Sequence, residues 1–155
     1  MLYPSMFALA IVATTALIGI DQAGAQGPAG VVEQRIAAMK TNGAAMRTLV
    51  PLARGEAPWN QAAAIQALET LQRNGEQTVA MFPRGSDAAS GVKTAALASI
   101  WEKASEFAAA AKVQTDAADA LLKAARANDE QGFRSGFAAM GRSCGGCQEG
   151  FRAKQ

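Results

Sequence analysis

The chain has 155 residues, 50% of them hydrophobic and 18% charged, with a formal net charge of +2. That length supports one domain with a real core and is short for two. The 15 basic residues are interspersed with 13 acidic ones, without a basic block that would serve a nucleic-acid surface. His is absent, and no acid–base pair or nucleophile constellation argues for a dedicated enzyme.

The first 25 residues differ from the rest. Phe7 to Ile20 is an uncharged apolar run of 14 residues, shorter than the ~20 of a membrane span and typical of a secretory apolar region. Ala23-Gly24-Ala25 supplies the small residues that signal peptidase prefers. Residues 1–25 are therefore expected to be a cleaved export signal, and residues 26–155 the folded domain. No Lys or Arg occurs from Met1 to Met6, so the alternative is an N-terminal anchor that stays in place. Cleavage removes Asp21 and no base, leaving 15 basic and 12 acidic residues, a net charge of +3. Export permits a disulfide.

The remainder reads as helix throughout, because Ala dominates segments of helical periodicity while Val, Ile and Thr are scattered. The first helix is expected from about Ala29 to Val50, with Val32, Ile36, Met39, Gly43, Met46 and Val50 at steps of four and three. Pro51 should end it, with Arg54 to Pro58 as a loop. Asn60 is a candidate N-cap for a second helix to about Met81. Pro83 to Gly91 is the longest turn-rich stretch. The third helix is expected from about Thr94 to Ala127, and Asn128-Asp129 offers a break and a new cap. The fourth runs from about Glu130 to Arg152, on the stripe Phe133, Phe137, Met140, Cys144, Cys147 and Phe151. Four such helices predict an all-α, antiparallel four-helix bundle.

Cys144 and Cys147 are the only cysteines, and Cys144-Gly145-Gly146-Cys147-Gln148 carries the chemistry. A Cys-x-x-Cys followed by His is the attachment signature of c-type haem, and here Gln148 holds the His position. On a helix, positions 144, 147 and 148 share one face, so two thiols can meet one porphyrin edge while the third residue points at the iron. A carboxamide is a poor substitute for imidazole, and haem iron is held by His, Cys, Met or Tyr. Two rival readings stay open: a Cys144–Cys147 disulfide, or a metal site. Structural zinc needs four ligands, more than two Cys without His can supply.

These residues resemble a known family. The ending CGGCQEGFR is similar to the CxxCHxxFR ending of the class II c-type cytochromes, the cytochrome c-prime family. Arg35-Ile36-Ala37-Ala38-Met39-Lys40-Thr41-Asn42-Gly43 resembles that family's first helix, Ala53 to Trp59 its loop into the second, and Ile100-Trp101 the start of its third. The resemblance covers about Val31 to Arg152. It implies an exported, periplasmic four-helix bundle that transfers one electron through covalent haem c. Cys144 and Cys147 match the thioether positions, Met39 the axial iron ligand of the low-spin branch, and Arg35 an arginine near the haem. Gln148 matches the proximal ligand position and departs from it. A redox protein partner, whose identity the residues leave open, and a homodimer are compatible with this reading; nucleic acid, and membrane beyond the export signal, are not implied. The alternative is a haem-free bundle with a Cys144–Cys147 disulfide and a binding or structural role.

Overall fold

The computed structural model describes residues 27–154, so the expected export signal and the start of the domain at residue 26 lie outside the described residues. Five helices follow in order: α1 Pro28–Arg54, α2 Gln61–Gln77, α3 Ser99–Glu102, α4 Ala104–Arg126 and α5 Glu130–Phe151. The four long ones form the expected antiparallel bundle. α1 lies beside α2, α2 beside α4, and α4 beside α5, while α5 closes back onto α1 most loosely.

The caps follow local chemistry. Asn60 accepts from the Ala63 N–H at 3.0 Å and Asp129 from the Gly132 N–H at 2.8 Å, each satisfying a donor that a helix start leaves free. α1 continues through Pro51 instead of stopping before it. The ring removes a single backbone donor close to the helix end, and the next turn buries Leu52 in the core. Gly55 then closes the helix at φ 72°, a left-handed conformation in which a side chain would be strained.

The expected third helix is interrupted. Lys103, at φ −118° and ψ 47°, separates α3 from α4, and residues 94–98 are not helical. Instead they run alongside the chain terminus: the Leu97 N–H donates to the Phe151 carbonyl at 3.1 Å, and the Ala153 N–H to that of Ala95 at 2.8 Å. Ser99 Oγ adds a bond to the Gly150 carbonyl at 3.0 Å. This clasp sits where it is needed. α5 contains Gly132, Gly136, Gly141, Gly145, Gly146 and Gly150, each about 1 kcal/mol less favourable in a helix than Ala. Helicity at its C-terminal end therefore rests on tertiary contacts.

One continuous core fills the end of the bundle away from the clasp. Leu49, Leu52, Leu68, Leu71, Leu121, Leu122, Phe133 and Met140 are all buried there, with Ala64, Ala67, Ala118 and Ala125 allowing close approach. Val32, Met81, Ile100, Phe107 and Ala111 are buried outside this cluster, towards the other end.

Candidate functional site

Cys144 and Cys147 are free thiols on α5, both half-buried. Cys144 packs against the edge of the core, and its Sγ lies 3.9 Å from Met140 Sδ. Burial pushes both thiols above their ordinary value of 9.0, and for Cys147 the neighbouring Cys144 charge acts in the same direction. Both are therefore neutral thiols at neutral pH. The expected stripe is only partly internal: Phe133 and Met140 are fully enclosed, whereas the Cys pair lies at the margin.

Gln148 is exposed, and its Oε1 accepts from Arg152 Nη1 at 2.9 Å. The carboxamide oxygen is thus engaged along its own helix, one turn on.

Met39 is not the packed core methionine that its stripe would give. It is 46% exposed, although Val32, seven residues earlier, is fully buried and Met46, seven later, packs on the core. A Cβ added at Gly43 would meet only the Arg47 guanidinium of the same helix. The column on α1 is therefore covered at 32 and 46 and open at 39 and 43, on the helix that α5 meets most loosely.

Arg35, one turn before Met39, is buried at 4% exposure. Its guanidinium donates to Ser86 Oγ at 3.0 Å, the Ser86 carbonyl at 2.6 Å and Thr94 Oγ1 at 3.0 Å. It also stacks 4.5 Å over the Phe82 ring and 5.8 Å from that of Trp101. Burial lowers its pKa, and Asp87 opposes that shift. Phe82 continues to Phe107 at 4.9 Å, and Phe107 to Phe151 at 5.2 Å. An aromatic chain thus links the Arg35 clasp to the last residue of the helix that carries the thiols.

The structure brings Cys144 and Cys147 together on one helix face, and Arg35 to the connector after α2. Sequence reading missed Ser86 and Thr94 as partners of Arg35, because a serine in a turn-rich run has no periodicity to reveal it. It also missed Asn74, whose Nδ2 reaches the Ala38 carbonyl at 3.3 Å, Thr41 Oγ1 at 3.0 Å and Asn42 Oδ1 at 2.6 Å. These contacts tie α2 to the turn of α1 that bears Met39. Among the described residues no helix is long and apolar enough to cross a membrane.

A family model described as Cytochrome C' matches residues 30–152. A cytochrome c' from Pararhodospirillum photometricum is 41% identical over 125 residues, covering 81% of this chain and 98% of the relative. A cytochrome c-556 from Agrobacterium fabrum is 38% identical over 140 residues, covering 90% and 92%. Among solved structures, cytochrome c' from Rubrivivax gelatinosus superposes with a TM-score of 0.75 at 25% identity, covering 82% of this chain and 98% of that one.

Proposed function

The chain belongs to the cytochrome c' family, and from that membership we propose that it is an exported one-electron carrier joined to its haem through Cys144 and Cys147. The family binds covalently attached haem c and is a haem-binding, electron-carrying class. The donor set here fits that group in part. Two free thiols at i and i+3, half-buried on α5, suit two thioether links at one porphyrin edge. Gln148 does not suit strong ligation of the iron, since a carboxamide is a weak donor and its oxygen already accepts from Arg152. Met39 supplies a thioether of the kind that does ligate haem iron. When bound, the haem supplies an iron centre that gains and loses a single electron.

The observation that carries this reading is the break in the α1 column, where Met39 stands 46% exposed between a buried Val32 and a core-packed Met46. A planar apolar group against that opening would cover Met39 and remove it from water, which is favourable at roughly 25 cal/mol per Å². Arg35 supports the same end by holding the connector through Ser86 and Thr94, so that Phe82 and Trp101 form a fixed wall. Export through cleavage after residue 25, periplasmic location and a homodimer through exposed faces of α1 and α2 belong to this proposal.

The test is the intact mass and visible spectrum of the full chain expressed in a periplasm equipped for haem attachment. A chain starting at residue 26, heavier by one haem and with a Soret band, is expected. A chain lighter by a pair of hydrogens and lacking that band would establish the disulfide-bonded, haem-free bundle instead. An uncleaved mass would refute the export signal, and a monomer by analytical ultracentrifugation would refute the homodimer. Gln148→His provides the internal control, since it restores the complete attachment signature.

A further inference from the structure

Within α1 no residue between Arg35 and Ala45 is buried, so no core side chain anchors the turn that carries Met39. The Arg35 clasp ties α1 to the connector, not to another long helix. α5, which bears the thiols, meets α1 most loosely. The grip on the Met39 turn comes from Asn74 on α2. Its Nδ2 donates to Asn42 Oδ1 at 2.6 Å, to Thr41 Oγ1 at 3.0 Å and to the Ala38 carbonyl at 3.3 Å, sharing two hydrogens among three acceptors. The Ala38 carbonyl belongs to the planar peptide group that leads into Met39, and it also accepts from Thr41 Oγ1 at 2.8 Å. Holding that peptide fixes the rotation of the turn, and with it the direction of the Met39 Cα–Cβ bond.

α2 is in turn fixed on α4 beside Asn74. A Cβ at Gly75 would stand 2.5 Å from Thr115 Oγ1, so the two helices approach closely there, and Gln114 Nε2 donates to the Leu71 carbonyl at 3.1 Å. α4 packs against α5. The placement of Met39 relative to the thiols therefore runs from α5 through α4 and α2 to α1, with Asn74 as the last link. We propose that Asn74 is a positioning residue for the Met39 thioether, setting where it stands when the chain carries haem. The role rests on Met39 being the iron donor proposed above. A bond that merely joined α1 to α2 would act equally whether or not residue 39 carries a thioether.

The experiment makes Asn74→Ala in the full chain, haem-free and haem-loaded, with and without Met39→Ala. In the haem-free chain amide exchange at residues 38–43 should quicken ~5-fold, the factor set by one hydrogen bond of ordinary strength, while residues 45–52 keep the parent's rate. In the haem-loaded chain Asn74→Ala should shift the charge-transfer absorption in the same direction as Met39→Ala, by a smaller amount. Added to Met39→Ala, it should change that absorption no further. Asn74→Leu, branched at the same atom but without the donor, should reproduce both effects. Where Met39→Ala shifts the spectrum, unchanged exchange or an unshifted spectrum in Asn74→Ala overturns the positioning role alone, as does an Asn74→Leu variant equal to the parent. A shift that Asn74→Ala still produces in the Met39→Ala background also overturns it, by showing an effect that bypasses the thioether. An unchanged spectrum in Met39→Ala, or a parent that takes up no haem, overturns the donor reading of Met39 and the positioning role with it.

Discussion

The two ends of the bundle are built on different physics. At the end around Trp59 and Phe133 the loops are short and the interior is aliphatic and aromatic. The Trp59 and Phe133 rings lie 5.0 Å apart, and Trp59 Nε1 donates to Asn128 Oδ1 at 2.8 Å. Charged groups there pair across the surface, as Arg126 does with Glu69 at 3.0 Å and Arg134 with Glu130. At the thiol-bearing end a long connector replaces the loop, a buried guanidinium replaces aliphatic packing, and the α1 column stands open at Met39. One end is complete in itself. The other is held in shape by polar clasps and leaves Met39 exposed on its α1 column, which is the arrangement expected of a scaffold that presents a site.

That contrast breaks most visibly at the closed end. Phe133→Ala should cost ~3–5 kcal/mol, because a fully buried ring is lost from a site unable to collapse; chemical denaturation of the haem-free chain measures it. A cost below ~1 kcal/mol would mean that this end is not the stabilising core. At the open end Arg35→Met should cost about 2 kcal/mol, since Ser86 and Thr94 lose charge-assisted bonds. Amide exchange should quicken between residues 84 and 98 and stay unchanged around Phe133. A stabilised variant would show instead that desolvation of the guanidinium outweighs its bonds. Asp129→Ala should cost ~1 kcal/mol by removing the bond to the Gly132 N–H that starts α5, read again from the denaturation midpoint.

The same division decides what the sequence reveals. Asn60 and Asp129 cap helices as their residue types predict, because capping is a local interaction. The bundle and the buried Phe133 follow from periodicity, which records a face turned to a continuous core. Pro51 misleads because burial of Leu52 outweighs one lost backbone bond. The break at Lys103 and the extended run 94–98 are invisible because the pairing partner of that run, residues 151–153, lies some fifty residues away in the chain. Cys144, Cys147 and Gln148 are legible as a motif, since their spacing alone aligns them. The burial of Arg35 is not, because its partners Ser86 and Thr94 come from the connector. Nor is the exposure of Met39, because periodicity marks which residues share a stripe and not where the stripe is left uncovered.

Met39 provides the smallest stability effect and the sharpest division between the ends. At 46% exposure its truncation to Ala should change the stability of the haem-free chain by no more than ~0.5 kcal/mol. Leu49→Ala, on the same helix but fully buried in the core, should cost ~2–5 kcal/mol. In the haem-loaded chain the order reverses for the visible spectrum: Met39→Ala should shift the charge-transfer and Soret absorption, while a destabilised but folded Leu49→Ala should leave them in place. A large stability loss in haem-free Met39→Ala would mean that the thioether packs as core after all. An unchanged spectrum in the loaded variant would remove Met39 from the iron, and with Gln148 held by Arg152 would leave that iron without a protein ligand from either proposed position.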